Sequence, residues 1–391
     1  MYSRSNLIIR NVGALALTLT MLLSAGYSHT VRAATNTNLY ITTLGDTNVE
    51  ALFRDTYIAD FAKAYPQYTV TYTNILHGTN AQELVVDNLT AAMATHQKSV
   101  PYDIFEDTPL NYTYPVGKTY KDYFQPLNAK NVPNAGKVDP AVLAAAAGYG
   151  IPYRGSSVVL AYNSLKVKNP PTTFDELISW IKANPGKFTY CDPNDGGSGA
   201  LFVAGAIRSV MDPATYDKLD STPYSKANEA DWSKAWDLLK SIDGDMFQHG
   251  FHPNGNLPVL NLLARGTITV ATVWSDQSLA ALKTGLLPKY IKLVEINPPL
   301  PGSDTYLSVP KLAQNPAAAR AFINFVLSPA EQAKMVVALS GFPAIQVKYM
   351  PPSIVKTIGS IDTGYDTHFV PGGLYYKDLE HLWSRNVPSG S

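Results

Sequence analysis

The chain carries one thiol, Cys191, with an acid beside it at Asp192. Thiol and carboxylate are the parts of a nucleophile and its base, but such groups must converge in space. Neighbours on an extended chain diverge instead. A lone cysteine also excludes an internal disulfide framework and any cysteine-rich metal site. His249 and His252 stand three apart in His-Gly-Phe-His-Pro, where Gly and Pro favour a loop over a metal-binding helix face. Neither Gly-x-Ser-x-Gly nor His-Glu-x-x-His occurs. The residues point to binding rather than to bond-breaking, and neither cofactor nor metal is expected.

For binding, several positions stand out. Asp46 closes Thr43-Leu-Gly-Asp46, a loop after a first strand, where open α/β sheets present ligands; helix capping is its other reading. Glu106 and Asp107 end a third strand, so only one of the two can face a cleft, and Glu106 is the candidate. Gly196-Gly-Ser-Gly199 opens a helix, and there Gly197 and Ser198 offer backbone N–H groups and a hydroxyl. No Lys-Ser/Thr follows, so it is not a P-loop. Trp274 and Asp276 flank Ser275 just past an apolar strand. On extended chain, residues two apart point to one side, so a single cation could touch both the indole face and the carboxylate.

These residues need elements to hold them. Asn38–Thr43, Tyr68–Tyr72 and Tyr102–Glu106 read as strands, separated by helical patterns over Asn48–Tyr65 and Gly78–Gln97. That order predicts an α/β unit with a mostly parallel sheet. A longer strand runs from Gly150 to Asn163, and a buried one from Thr267 to Trp274. Thr173-Phe-Asp-Glu176 reads as a capping box. Pro316–Leu327 and Pro329–Leu339 read as helices.

Composition narrows the partners. The 391 residues carry 31 basic and 31 acidic side chains, with 46% hydrophobic residues. Wholesale disorder is excluded, and no basic face for nucleic acid is available. The 24 tyrosines suit a wet, ligand-lining surface. Arg4 and Arg10, an apolar run from Val12 to Leu23 and small residues up to Ala33-Ala34 describe a secretory signal peptide over residues 1–33, cleaved near Ala33. The run is shorter than the roughly 20 residues of a comfortable span. An exported, soluble, monomeric protein is expected.

Gly148-Tyr-Gly-Ile-Pro-Tyr153 with Leu160-Ala-Tyr-Asn163 resembles the crossover strand of bacterial extracellular solute-binding proteins. Pro171-Thr-Thr-Phe-Asp-Glu-Leu177, Leu307-Ser-Val-Pro310, Ala319–Gln332 and Ser340-Gly-Phe-Pro343 are similar to their later elements. Pro185–Tyr190 with Gly196–Val203 looks like the branch holding polyamine-, thiamine- and iron-binding members. The resemblance implies an α/β, two-lobed periplasmic-binding fold of type II, each lobe a mostly parallel sheet flanked by helices. Lobe one would hold 38–152 plus 272–330, lobe two 158–268, and 340–391 would pack across them as a helical segment. It further implies a periplasmic protein that hands a small-molecule solute to an inner-membrane ABC permease. By the same resemblance Trp274 packs on the ligand, Tyr153 lines the hinge end of the cleft, and Tyr306 in Asp304-Thr-Tyr306 joins the site. There the sequence departs from the polyamine pattern. A small organic cation, such as a polyamine or thiamine-like amine, is the first expectation, and a sugar or sugar alcohol, which Tyr and Trp with Asn, Asp and Gly loops would also hold, is the second. A thiamine-degrading transferase shares this fold and would use a cysteine, but Gly155 and Ser156 stand where its thiol is expected. Cys191 is the one residue left for such a role.

Overall fold

The computed structural model describes residues 37–75, 81–107, 118–144, 146–195, 197–217, 219, 224–361 and 374–388. The leader at residues 1–33 and Gly196 therefore lie outside the described residues. Nine strands are described: β1 (Asn38–Thr43), β2 (Thr69–Asn74), β3 (Ile104–Asp107), β4 (Ile151–Asn163), β5 (Phe188–Thr189), β6 (Val270–Trp274), β7 (Ile291–Val294), β8 (Gly302–Ser308) and β9 (Phe342–Pro343). They run in the order β2-β1-β3-β8-β4-β6-β5, with β7 and β9 also pairing β4.

The 13-residue β4 joins the two ends of this sheet. Its first half, through Ser157, pairs with β8, and its second half, from Val158, pairs with β6. Near-continuous burial along β4 follows from coverage on both faces. The parallel pairings expected from the strand–helix alternation are present at β1–β2, β1–β3 and β5–β6. The sheet as a whole is mixed, because β8 runs antiparallel to β3 and β4, and β4 antiparallel to β6, β7 and β9. This corrects the expectation of mostly parallel sheets. Side-chain alternation identifies a strand but not the direction of its partner, which the long crossing segments β4 and β8 decide.

The two largest of the described apolar cores flank this shared strand. Leu39, Ile41, Phe53, Ile104, Tyr153, Leu307 and Phe322 belong to one. Val158, Leu160, Phe188, Tyr190, Phe202, Trp232 and Trp383 belong to the other. Beyond β9 the chain touches both ends. The helix Pro352–Ile361 packs on Pro329–Leu339, and the helix Leu374–Asn386 packs on Gly197–Val210 and Trp232–Asp243. There the Trp383 indole N–H donates to the Tyr190 hydroxyl at 2.9 Å.

Local signals read from the sequence hold where caps decide them. Thr173 accepts from the Glu176 backbone N–H at 3.1 Å, as an N-cap should. The Glu176 carboxylate reaches back one residue further than the capping-box pattern, to the N–H and hydroxyl of Thr172, both at 2.8 Å. The helical stretch after β1 includes a wide, π-type turn at Phe53–Ile58, which hydropathy spacing does not reveal.

Candidate functional site

The loop Leu44-Gly45-Asp46 leaves the C-terminal end of β1, next to the end of β3. Its register is set by Glu106, whose Oε2 accepts the Leu44 backbone N–H at 2.8 Å. The Asp46 backbone carbonyl takes the first N–H groups of the helix Thr47–Leu52, from Val49 at 2.9 Å and Glu50 at 3.0 Å. Its side chain makes no capping bond. The carboxylate turns outward instead, to Asn256 Nδ2 at 3.3 Å and Gln277 Nε2 at 3.4 Å.

Asn256 and Gln277 each stand in the first turn of a helix, Asn256–Ala264 and Ser275–Thr284. The start of a third helix, Gly197–Val210, meets Asn256: the Ser198 hydroxyl and backbone N–H both donate to Asn256 Oδ1, at 2.8 and 3.3 Å. Those two donors fix the Asn256 amide with its NH₂ toward Asp46. Gly197 borders Trp274: a Cβ at this position would lie 2.9 Å from the indole ring, so only glycine lets that ring lie so close.

A second chain of contacts closes on the same place. Tyr153 donates its hydroxyl to Glu106 Oε1 at 2.8 Å and accepts from Arg154 Nε at 3.0 Å. Arg154 pairs with Asp276 Oδ2 at 3.1 Å, and Asp276 Oδ1 accepts from the Ser156 hydroxyl at 2.7 Å and the Gln277 backbone N–H at 2.8 Å. Leu44, Glu106, Tyr153, Arg154, Asp276, Gln277 and Asp46 are thus linked by hydrogen bonds and one ion pair, and the chain segment Leu44-Gly45-Asp46 closes them into a ring. It spans from the loop after β1, through β3 and β4, to the helix after β6. Burial holds the Tyr153 phenol well above its ordinary value, which keeps it a donor to Glu106.

This ring redistributes the roles read from the sequence. Asp46, Glu106, Tyr153 and Asp276 come together in it, and Gly197, Ser198 and Trp274 border it. Asp276 does not share an extended segment with Trp274. It sits inside the helix beginning at Ser275, buried and bonded to Arg154, so the same-side argument for the pair fails. Tyr306 is separated from the others. On β8, Leu307 pairs with Glu106 and Ile151 and shares their face, which leaves Tyr306 on the opposite face, buried, with its hydroxyl donated to Val142 O at 2.9 Å.

Arg154, Asn256 and Gln277 were not singled out from the sequence. For Arg154 a signal existed: a cation within a strand of apolar residues needs a buried carboxylate. Asn256 and Gln277 carry no comparable mark, since each is a polar residue in the first turn of a helix, where polar residues are routine.

Cys191 is buried beneath this site. Its sulfur lies 3.2 Å from the Ser198 hydroxyl and accepts the Gly199 backbone N–H at 3.2 Å. Burial pushes the thiol up to about 12, against the opposing effect of those two bonds. A thiol so held is not a nucleophile near neutral pH. His252 is engaged with Asp243 at 3.0 Å, while the His249 ring lies 3.3 Å from Gly244 O, so the two imidazoles do not converge. Among the described residues no group of His, Cys, Asp and Glu is arranged to hold a metal. Among those residues, too, no helix is long and apolar enough to cross a membrane.

A family model described as bacterial extracellular solute-binding protein matches residues 56–357. The chain belongs to this family. Protein YnjB of Escherichia coli (strain K12) is 24% identical over 198 residues, which is 50% of this chain and 50% of that relative. The match thus spans about half the length of the curated relative. Among solved structures, the periplasmic binding protein AfuA from Actinobacillus pleuropneumoniae, with exogenous fructose-6-phosphate bound, superposes with a TM-score of 0.64 at 15% identity, covering 90% of this chain and 99% of that one. The spermidine/putrescine ABC transporter substrate-binding protein PotD from Streptococcus pneumoniae gives 0.60 at 15% identity, with 89% and 99% covered. At such identities these likenesses establish the fold. The family membership makes this an extracellular solute-binding protein.

Proposed function

We propose that this chain is the periplasmic substrate-binding component of an ABC importer. It captures a small organic cation between two lobes, 38–152 plus 272–330 and 158–268, and delivers it to an inner-membrane permease. The observation that carries the ligand class is the Asp46 carboxylate, held by two neutral amides and, among the described residues, by no cation. Asp276 is neutralised by Arg154, and Glu106 is taken up by the Leu44 N–H and the Tyr153 hydroxyl. The ring therefore carries three carboxylates against one guanidinium, a surplus that favours a positively charged guest. The half-buried Trp274 ring beside Gly197 adds a π face for an alkyl cation. Closure of lobes about such a guest is a hinge motion, with β4 as the shared segment.

Titration calorimetry with 1,4-diaminobutane, mannitol and glucose tests this reading. Binding of the diamine by the wild type, weakened at least about tenfold in Asp46→Asn, is the expected result, since a charge-assisted bond is worth roughly 1.5–3 kcal/mol. Binding of a polyol but of no amine would overturn the organic-cation assignment while leaving the solute-binding role intact.

A further inference from the structure

We propose that Gln277 is a specificity-determining residue that restricts the ligand to ammonium groups bearing N–H donors, excluding fully alkylated cations. The inference rests on the organic-cation reading above and sharpens it. The Gln277 amide is oriented by its surroundings. Its backbone N–H is bonded to Asp276 Oδ1 at 2.8 Å, and its Nε2 faces Asp46 Oδ2 at 3.4 Å. The reverse orientation would set an amide oxygen against a carboxylate oxygen, two acceptors with no proton between them. Nε2 toward Asp46 is thus the arrangement that chemistry permits.

That orientation commits the other end of the amide. Gln277 Oε1 is buried and has no hydrogen-bond partner among the described residues. A buried carbonyl without a donor is unfavourable, so the position selects a guest that brings one. The Asn256 amide beside it cannot serve as this acceptor, because its oxygen is occupied by the Ser198 hydroxyl and N–H. Nor can Asp276, whose two oxygens are engaged by Arg154, Ser156 and the Gln277 N–H. Among the described residues of the ring, the acceptors least engaged by other donors are the Asp46 carboxylate and Gln277 Oε1, joined through one 3.4 Å contact. A primary or secondary ammonium has at least two N–H groups and can satisfy both. A quaternary ammonium has none, and would leave Oε1 unpaired while burying its own methyl groups against two oxygens. Discrimination built on a buried acceptor of this kind is steep, because the wrong guest leaves a polar atom desolvated.

The probes are 1,4-diaminobutane, its N,N,N′,N′-tetramethyl form and its hexamethyl bis-quaternary form, titrated calorimetrically into the full chain. In the wild type, affinity should fall at least tenfold from the primary to the quaternary form. In Gln277→Met, similar in size but without an acceptor, that ratio should shrink to within about threefold. Gln277→Ala replaces the Met variant if the latter does not fold, as judged by its thermal transition. An unchanged ratio in the Met or Ala variant would mean that methylation acts through bulk alone and would overturn the proposal, as would equal wild-type affinity for primary and quaternary forms. In both cases the organic-cation reading would survive. No binding of any of the three by the wild type would overturn that reading together with this inference.

Discussion

Asp46 and Asp276 occupy matching places in the two ends of the fold. Each follows a strand, β1 or β6, and each stands at the start of the helix that comes next. Their surroundings differ. Asp276 is 3% exposed and paired with a guanidinium, a hydroxyl and a backbone N–H. Asp46 is half-buried and, among the described residues, its side chain meets two neutral amides, at distances near the long limit of a hydrogen bond. The comparison teaches that a strand-end carboxylate is made structural or available by what the rest of the chain brings to it. Here the difference is Arg154, placed by the irregular register of β4 against β8 between Pro152 and Arg154.

The sharpest test of this comparison removes Asp276. Asp276→Ala strands a buried guanidinium and should cost about 3–5 kcal/mol of folding stability in a denaturant titration. Combining Arg154→Met with Asp276→Leu should recover most of that loss, because neither charge then remains buried. A single-mutant loss below about 1 kcal/mol would erase the distinction between the two carboxylates. Asp46→Asn should do the opposite: folding stability stays within about 0.5 kcal/mol, the scale of an ordinary surface change, while diamine affinity drops as stated above.

Next in size is the wall between them. Gly197→Ala puts a methyl 2.9 Å from the Trp274 ring, so the indole must shift. A cost of about 1–3 kcal/mol is expected for such overpacking, with a displaced tryptophan emission maximum and weaker amine binding. Unaltered emission would show that the helix start, rather than the ring, gives way.

The smallest effects concern Cys191. Cys191→Ser should leave diamine affinity within about threefold, or roughly 0.7 kcal/mol, because the thiol lies beneath the site and reaches it through Ser198 and through Asn256 Oδ1 at 3.5 Å, contacts that a serine hydroxyl can keep. Cys191, Tyr72 and Tyr102 are each pushed up to about 12, chiefly by burial. All three are neutral when protonated, so the folded state holds their protons more tightly than the unfolded chain does. Their contribution is complete below the unfolded thiol value of 9.0 and is lost as pH rises from there through about 12. Chemical denaturation at pH 8, 10 and 11 should show this decline, with a shallower slope in Cys191→Ser. A flat profile would contradict the burial of these groups.

Much of the architecture was legible along the chain. The strand at residues 38–43, a strand over Tyr102–Glu106 that the structure sets at Ile104–Asp107, the long β4, the helix start at Thr173 and the paired helices opening at Pro316 and Pro329 follow from alternation, caps and proline placement. The inert reading of Cys191 was also legible, because an adjacent acid on extended chain cannot serve as its base. The site was legible only in outline. Glu106, Tyr153, Asp46 and the Gly197-Ser198 turn could be picked out as strand ends and a helix start. Tyr306 could not be excluded, because its face depends on the pairing of β8 with β3 and β4.

What the sequence determined by itself was therefore local: which segments alternate, where helices begin, and that no thiol–base pair or cysteine-rich metal site is built from neighbouring residues. The tertiary structure alone decided which carboxylate is neutralised, which amide meets Asp46 and which glycine an indole covers. Asp46 lies 210 residues from Asn256 and 231 from Gln277, and Arg154 lies 122 from Asp276. Periodicity and capping act over a few residues. The balance of charge at a cleft depends on which distant side chains share one low-dielectric space, and that is settled only when β4 brings the two ends of the sheet together.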